Sequence, residues 1–172
     1  MLGNNDVLLR PIRKDDIGIL NKWKNDYSIF KYLGGGFSPQ SIDQQKLYID
    51  KLISNTNEDK RFIIEVDNRA IGQVGLYSIN WINRNCELGI YIGEKDQWGN
   101  GYAKEACYIL HNYAFNILGL NKIKLLVVED NISAINMYKK LGYKLVGIYK
   151  KERFIDGKYR NVCIMELLNS DE

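Results

Sequence analysis

Residues 86–103 read Cys-Glu-Leu-Gly-Ile-Tyr-Ile-Gly-Glu-Lys-Asp-Gln-Trp-Gly-Asn-Gly-Tyr-Ala, and this stretch decides the fold. Its first part, residues 86–92, is mostly apolar and predicts a strand. Its last part, residues 98–103, is a turn with two glycines that opens a long helical pattern. Glycines allow positive φ and close backbone approach, so several amide N–H groups can point at one anion at the positive end of a helix dipole. The turn therefore favours a pyrophosphate site, and the alternative is a plain strand-to-helix turn that needs the same two glycines.

Other phosphate-binding loops fit this turn poorly. A P-loop requires the pattern GxxxxGK[ST], which the chain lacks. The dinucleotide pattern GxGxxG fails because the residue three positions after Gly101 is Lys104. The acidic residues after the next predicted strand, Glu129 and Asp130, come later than a ribose-binding position would. The turn predicts a pyrophosphate but does not identify the molecule that carries it.

The sequence on either side of this stretch alternates between strand-like and helix-like patterns. Predicted strands cover residues 7–12, 61–66, 71–79, 86–92, 122–128, 143–154 and 158–167. Predicted helices cover residues 15–23, a segment that Ser38 and Pro39 open, residues 102–118, and a segment to Leu141 that Asn131 or Ser133 caps. Asp67-Asn68 and Asp156-Gly157 are turn dipeptides that join strands into hairpins. We predict an α/β fold of the mixed α+β kind, with a central mixed, twisted sheet of about seven strands and about four helices, in a single domain over residues 1–172.

Composition excludes several classes of protein. The 24 Lys and Arg residues are scattered and nearly balanced by 21 Asp and Glu residues, which is not typical of a nucleic-acid-binding protein. No apolar run approaches the roughly 18 residues that span a bilayer, and the N-terminus has no cationic start or apolar segment typical of a signal peptide. The three cysteines are widely spaced and odd in number, which predicts reduced thiols and no metal site. We expect a soluble, cytoplasmic protein that binds neither nucleic acid nor membrane.

Four motifs together resemble the GNAT superfamily of N-acetyltransferases. They are Cys86-Glu87-Leu88-Gly89-Ile90, Trp98-Gly99-Asn100-Gly101-Tyr102-Ala103, the segment from Asp130-Asn131 through Met137-Tyr138 to Gly142-Tyr143, and Asp156-Gly157-Lys158-Tyr159. The resemblance covers residues 9–167, and separated motifs in the right order are far more specific than one glycine turn. The branch that the chain resembles contains ribosomal-protein acetyltransferases and spermidine acetyltransferases. The resemblance implies transfer of an acetyl group from acetyl-CoA to a primary amine by direct attack on the thioester.

The resemblance also implies how each motif binds the cosubstrate. The pyrophosphate of coenzyme A would bind the backbone of Trp98, Gly99, Asn100, Gly101, Tyr102 and Ala103, with Trp98 at a position where Gln or Arg is usual. The strands at residues 86–92 and 122–128 would splay apart and hold the pantetheine arm between them. Asn131 would hydrogen-bond that arm, and Tyr138 would lie beside the sulfur.

The chemistry requires a base, an oxyanion donor and an acid. An alkyl amine has a pKa of about 10.4, so a base or a chain of waters must remove a proton before attack. Glu87 is the candidate base, because it is a carboxylate within an otherwise apolar strand; the alternative is an outward-facing residue or one paired with Arg84 or a lysine. Tyr138 is the candidate acid, and the alternative is a core aromatic with a bonded hydroxyl. The backbone N–H of Leu88 or of Ile90 could donate to the oxyanion, and the sequence does not select between them.

Other candidate residues have weaker signals. His111 is the one histidine of the chain, and we expect it at a solvated position of the helix over residues 102–118. Trp23, Tyr27, Phe30 and Tyr32 either line an acceptor pocket or pack the first two helices.

The acceptor amine stays open. Spermidine acetyltransferases carry acidic residues in the loop after the first helix, whereas here residues 33–40 read Leu-Gly-Gly-Gly-Phe-Ser-Pro-Gln and no carboxylate appears before Asp43. This departure speaks against a regulatory polyamine site and weakens the case for spermidine as the substrate. It does not identify the acceptor, so an aminosugar, a polyamine and a protein N-terminus all remain candidates. The alternative function is a non-catalytic acyl-CoA-binding or regulatory module, which loss of Tyr138 or Asn131 would mark; both are present. We expect coenzyme A and an amine acceptor as partners, and a homodimer.

Overall fold

The computed structural model describes residues 1–3, 6–54 and 59–169, and their strands form one mixed sheet. The strands are β1 Leu2–Gly3, β2 Leu8–Pro11, β3 Lys60–Val66, β4 Arg69–Asn80, β5 Asn85–Ile92, β6 Lys122–Val128, β7 Lys144–Ile155 and β8 Lys158–Leu168. Their order across the sheet is β1-β2-β3-β4-β5-β6-β8-β7. All neighbouring strands are antiparallel except β5 and β6, which are parallel. The predicted mixed sheet with one crossover in its middle is confirmed.

Five α-helices lie among the described residues. They are α1 Ile17–Lys24, α2 Tyr27–Phe30, α3 Ile42–Ser54, α4 Tyr102–Asn112 and α5 Ile132–Lys140. Helix α4 forms the crossover from β5 to β6 and continues into a π-helical turn over Tyr113–Ile117. No described helix is long and apolar enough to cross a membrane. The two elements that the sequence did not predict, β1 and α2, have two and four residues, which is too short for a hydrophobic period to show.

The start predicted for the second long helix is wrong by three residues. Helix α3 begins at Ile42 and not after Ser38-Pro39, because Ser41 and Gln44 form a capping box. The N–H of Gln44 donates to Oγ of Ser41 at 3.2 Å, and the N–H of Ser41 donates to Oε1 of Gln44 at 2.8 Å.

Helices cover both faces of the sheet. On one face, buried residues of α4 and α5 pack on alternate residues of the strands, with Leu110 and Ile64 fully buried. On the other face, α1 and α3 pack through Leu20, Trp23 and Ile49 against Ile63, the neighbour of Ile64 on β3. Adjacent residues of a strand point to opposite faces. Because Ile63 and Ile64 are both buried, the sheet is covered on both sides at β3.

Trp23 ties α1 to the segment that follows β5. Its ring lies so close to Gly93 that a Cβ on this glycine would stand 2.2 Å from the ring. Its indole N–H donates to Oε1 of Glu94 at 2.8 Å. This contact fixes the chain just before the glycine turn at residues 98–103.

The expected solvated position of His111 is wrong. The side chain is 6% exposed, and its Nε2 lies 2.9 Å from the hydroxyl of Tyr143. Tyr143, in the segment between α5 and β7, covers this part of α4, so His111 is buried on that side. Burial lowers the pKa of His111 to about 4.

Candidate active site

Strands β5 and β6 separate soon after they start. They pair only over Asn85, Cys86 and Glu87, opposite residues 122–124. Beyond Glu87, β5 stays paired with β4 and β6 stays paired with β8, so a wedge opens between residues 88–92 and 125–128. The predicted splay of these two strands is confirmed.

A cavity of about 1130 Å³ extends from this wedge to helices α1 and α3. All of the predicted site residues line it except Asn100; those that do are Glu87, Leu88, Ile90, Trp98, Gly99, Gly101, Tyr102, Ala103, Asn131 and Tyr138. Its volume is somewhat above the usual range for a small-molecule site, which suits a long cosubstrate together with a second molecule. The structure therefore brings the two predicted catalytic residues and the glycine turn to one open cavity.

The glycine turn presents a row of free amide groups. Gly99 and Gly101 have φ of 83° and 86°, in the left-handed region that glycine adopts without strain. The first hydrogen bond of α4 joins the N–H of Glu105 to the carbonyl of Gly101 at 3.1 Å. Within residues 1–3, 6–54 and 59–169, no hydrogen bond uses the backbone N–H groups of residues 99–104. Such a row at a helix N-terminus binds phosphate oxygens.

Trp98 connects this turn to the end of β5. Its indole N–H donates to the carbonyl of Ile92 at 2.9 Å, while about half of the side chain remains exposed. The neighbouring side chain of Gln97 donates to Asp96 at 3.0 Å and also lines the cavity. At the position where Gln or Arg is usual, Trp98 thus holds the turn against the strand, a contact that the sequence did not predict.

Asn131 caps α5, which settles the choice between Asn131 and Ser133. Its Oδ1 accepts the N–H of Ala134 at 3.3 Å. The amide nitrogen of the same side chain makes no hydrogen bond with a described residue, and Asn131 lines the cavity. The Asn131 side chain therefore caps the start of α5 with its oxygen, while its amide N–H groups can donate to a ligand.

Tyr138 has a core ring and a free hydroxyl. The residue is 7% exposed, and its ring lies edge-on to that of Tyr143 with centroids 5.6 Å apart. The hydroxyl makes no hydrogen bond with a described residue. Every fully buried polar side-chain atom of these residues does have a hydrogen-bond partner, so the Tyr138 hydroxyl is not fully buried. The hydroxyl must therefore face the cavity. Burial raises the pKa of Tyr138, so this hydroxyl stays protonated at neutral pH.

Glu87 lies where the wedge begins and is exposed to the cavity. In the part of the chain that the structure describes, its carboxylate forms no ion pair or hydrogen bond. Arg84, the expected alternative partner, donates instead to the carbonyl of Gly119 at 3.4 Å. A free carboxylate and a protonated tyrosine thus border the same cavity.

A polar network that the sequence did not predict forms the other wall of the cavity. The side-chain amide of Gln73 donates to the hydroxyl of Tyr77, and the hydroxyl of Tyr91 donates to Gln73, both at 3.2 Å. Gly89 makes room for this wall, since a Cβ there would stand 2.7 Å from the Tyr77 ring. The guanidinium of Arg61 stacks on the same ring at 4.4 Å. Gln73 gives the one sequence signal, because it is a buried amide within the apolar strand β4.

Of the four aromatic residues expected either in an acceptor pocket or in helix packing, two line the cavity and two do not. Phe30 and Tyr32 line the cavity. Trp23 does not, because it is buried against Glu94, and the hydroxyl of Tyr27 donates outward to Asp156 at 2.5 Å.

A family model described as Acetyltransferase (GNAT) domain matches residues 6–144. The chain belongs to the GNAT acetyltransferase family. This GNAT protein is 34% identical over 165 residues to a spermidine N(1)-acetyltransferase of Escherichia coli strain K12, covering 94% of the chain and 87% of that relative. A crystal structure of spermidine N-acetyltransferase from Vibrio cholerae in complex with CoA and spermine superposes with a TM-score of 0.89 at 30% identity, covering 97% of this chain and 98% of that one. A dodecameric structure of spermidine N-acetyltransferase from Vibrio cholerae matches with a TM-score of 0.84 at 30% identity, covering 97% and 96%.

The expectations for fold and activity are therefore confirmed. This GNAT protein is an acetyl-CoA-dependent N-acetyltransferase, which transfers an acetyl group to an amine.

Proposed function

We propose that this GNAT enzyme works as a single domain over residues 1–172 and acetylates a small primary amine, with Glu87 as base and Tyr138 as acid. The observation that carries the proposal is their shared cavity. One end of that cavity has the free amide groups of residues 99–104, and its walls present an unpaired carboxylate and an unpaired tyrosine hydroxyl. An anion site, a base and an acid in one space are what acyl transfer from a thioester to an amine requires.

Acetyl-CoA would bind along the wedge. Its pyrophosphate accepts hydrogen bonds from the amide groups of residues 99–104, and Lys104 and Lys140, which line the cavity, add positive charge for its phosphates. The pantetheine arm lies between β5 and β6 beside Leu88 and Ile90, and its amides meet the free amide nitrogen of Asn131. This places the thioester near Tyr138.

The reaction then balances as a direct transfer. The amine arrives as an ammonium ion and loses a proton to Glu87, directly or through water. The neutral nitrogen forms a bond to the thioester carbonyl, and the backbone N–H of Leu88 or Ile90 stabilises the oxyanion. The carbon–sulfur bond breaks, and the thiolate takes a proton from Tyr138. The nitrogen gives its second proton to the resulting tyrosinate, directly or through water, and Glu87 releases its proton to solvent. The products are an acetamide and coenzyme A.

The relatives named above are spermidine acetyltransferases, which makes a polyamine a candidate acceptor. The loop over residues 31–41 contains no Asp or Glu that would attract polyamine ammonium groups. The proposal is therefore a small primary amine, with spermidine as one member of the panel that tests it.

The test measures release of free coenzyme A thiol with a panel of spermidine, aminosugars and a short peptide. We expect turnover with at least one amine. We expect Tyr138→Phe to lower kcat by about 100-fold, the range of one general acid, with the Kd for coenzyme A unchanged. Tyr108→Phe, an exposed tyrosine of α4, is the matched control and should keep full activity. Tight coenzyme A binding without turnover on any amine would support the non-catalytic module instead, and a Tyr138→Phe enzyme with unchanged kcat would remove the hydroxyl from the mechanism.

We also propose that the enzyme is a homo-oligomer that associates through β7, with the homodimer as its unit. Strand β7 is an edge of the sheet, and it exposes Leu145 (52%), Val146 (52%), Ile148 (38%) and Tyr149 (48%). An exposed edge strand rich in apolar residues is typical of an interface between chains. The dodecameric Vibrio cholerae relative supports association.

A further inference from the structure

The charges around the cavity are unequal. Among the described residues that line it, five side chains are cationic, namely Lys24, Arg61, Lys104, Lys140 and Arg153. The one carboxylate among those lining residues is Glu87. Lys104 and Lys140 lie beside the turn and α5, where coenzyme A has its phosphates, so the acceptor side has three cations.

Lys24, at the end of α1, is a half-buried cation without a counter-ion. Its Nζ lies 4.4 Å from the centre of the Phe30 ring, and it forms no ion pair with a described residue. Burial lowers the pKa of Lys24, because water solvates its charge less well there, and a nearby anion would offset this loss.

Arg153, on β7, is the second such cation. Its guanidinium donates to the carbonyl of Leu33, and one of its nitrogens lies beside Gly34 at the cavity wall. It forms no ion pair with a described residue, and burial lowers its pKa. A guanidinium has five donors, so most remain for a planar anion.

Two neighbouring cations that do not line the cavity are paired with carboxylates. Lys22 contacts Glu94 at 3.0 Å and Lys31 contacts Asp156 at 3.1 Å. Arg61 lines the cavity but is paired with Asp59 and stacked on Tyr77. A partly desolvated charge without a partner is costly, so a pair of them in one ligand cavity points to an anionic ligand.

We propose that the acceptor amine also carries an anionic group, a phosphate or a carboxylate, that binds Lys24 and Arg153 while the amine approaches the thioester. This inference rests on the proposed function and specifies its substrate class. A polyamine is disfavoured, since its ammonium groups would meet a single carboxylate and two cations without an ion-pair partner among the described residues, Lys24 and Arg153. An aminosugar phosphate, a nucleotide-linked aminosugar and an amino acid all have the required chemistry.

Matched pairs of amines test this substrate class. Thiol release is measured with glucosamine 6-phosphate against glucosamine, with alanine against alaninamide, and with spermidine. We expect kcat/KM for the anionic member of at least one pair to exceed that of its neutral partner by about tenfold or more, and the pair that shows it identifies phosphate or carboxylate. Equal rates within both pairs, or spermidine as the best acceptor, would overturn the inference while leaving the acetyltransferase proposal intact.

Variants test the assigned residues. Lys24→Gln and Arg153→Gln should each bring the ratio of kcat/KM between the anionic and the neutral amine of the preferred pair towards one. The main cause should be a higher KM for the anionic amine. Lys22→Gln is the matched control, because Lys22 is on the same helix and already paired with Glu94, and it should keep the ratio. The KM for acetyl-CoA shows that each variant is folded. A preference that survives both cavity variants would overturn the assignment to Lys24 and Arg153.

Calorimetry separates this inference from the proposed function. Binding of the same paired amines to the coenzyme A complex reports the charge preference without turnover. Preferential binding of the anionic amine, lost in Lys24→Gln and Arg153→Gln, supports the inference even where no amine is acetylated. Binding that shows no charge preference overturns it.

Discussion

At the scale of single residues, His111 shows how burial fixes a protonation state. Helix α4 and Tyr143 enclose the imidazole, and its Nε2 lies 2.9 Å from the Tyr143 hydroxyl. A charged imidazolium is costly in such a place, so the pKa of His111 falls from 6.5 to about 4. His111 does not line the cavity, so its effect is on stability.

We predict that His111 makes the fold lose stability in mild acid. In the unfolded chain its pKa is near 6.5, so between about pH 6.5 and 4 the unfolded state binds more protons than the folded state. The stabilisation is present above that window and is lost as pH falls through it, by about 2 kcal/mol between pH 7 and pH 5. His111→Gln does not titrate and keeps a polar group near Tyr143. Urea unfolding of both proteins at the two pH values should therefore show a loss about 2 kcal/mol larger for the native chain; parallel losses would show that His111 does not cause it.

Residue positions were predictable where local spacing determines them. Asn131 and Gly101 were predicted because a helix start needs a cap and a tight turn needs positive φ. The burial of His111 was also encoded, since Cys107, Leu110 and Ala114 surround it at helical spacing and all are fully buried. The bond from Trp98 to Ile92 and the unpaired states of Lys24 and Arg153 depend on contacts between distant elements, which no local pattern contains.

At the scale of elements, the site results from one strand pair that stops early. The sequence predicts both β5 and β6, because each is a mostly apolar segment. It does not predict from the residues alone that their pairing ends at Glu87; the family resemblance supplied that expectation. The wedge needs β4 and β8 to hold the two strands apart, and those contacts join segments far apart in the chain.

We predict that Gly101→Ala weakens coenzyme A binding more than it weakens the fold. With φ of 86°, an alanine there is strained by about 1–2 kcal/mol, although its Cβ would meet no protein atom within 4 Å. That empty space is where the pyrophosphate would lie, and relief of the strain would turn the amide groups away from it. We expect the Kd for coenzyme A to rise by about tenfold or more in calorimetry.

Gly157→Ala is the matched control for this variant. Gly157 has φ of 74° in the β7–β8 turn, and a Cβ there would also meet no atom within 4 Å. Both variants should lose a similar amount in Tm, but only Gly101→Ala should lose coenzyme A affinity. Equal affinities for the two variants would mean that the turn does not bind the pyrophosphate.

At the scale of the whole molecule, overall charge conceals the distribution that matters for substrate choice. The net charge of +3 indicates no particular partner. Folding pairs Lys22, Lys31 and Arg61 with carboxylates. It leaves Lys24 and Arg153, at the acceptor side of the cavity, without an ion-pair partner among the described residues. The relatives share the fold and the reaction, so a difference in acceptor would come from such local changes in charge.

We predict that two copies of the chain associate through β7. The strand exposes unpaired backbone groups at one edge of the sheet, together with the side chains of Leu145, Val146 and Tyr149. Packing this edge against a second copy would remove the backbone groups and the apolar side chains from water. We expect the native chain to have a mass in light scattering that is a multiple of 20.0 kDa. Val146→Lys should shift it towards the single-chain mass, because a buried lysine on an edge strand opposes pairing. Ile82→Lys changes an exposed apolar residue at the β4–β5 turn and should leave the mass unchanged. A native chain that stays at 20.0 kDa as its concentration rises would show that β7 is not an interface.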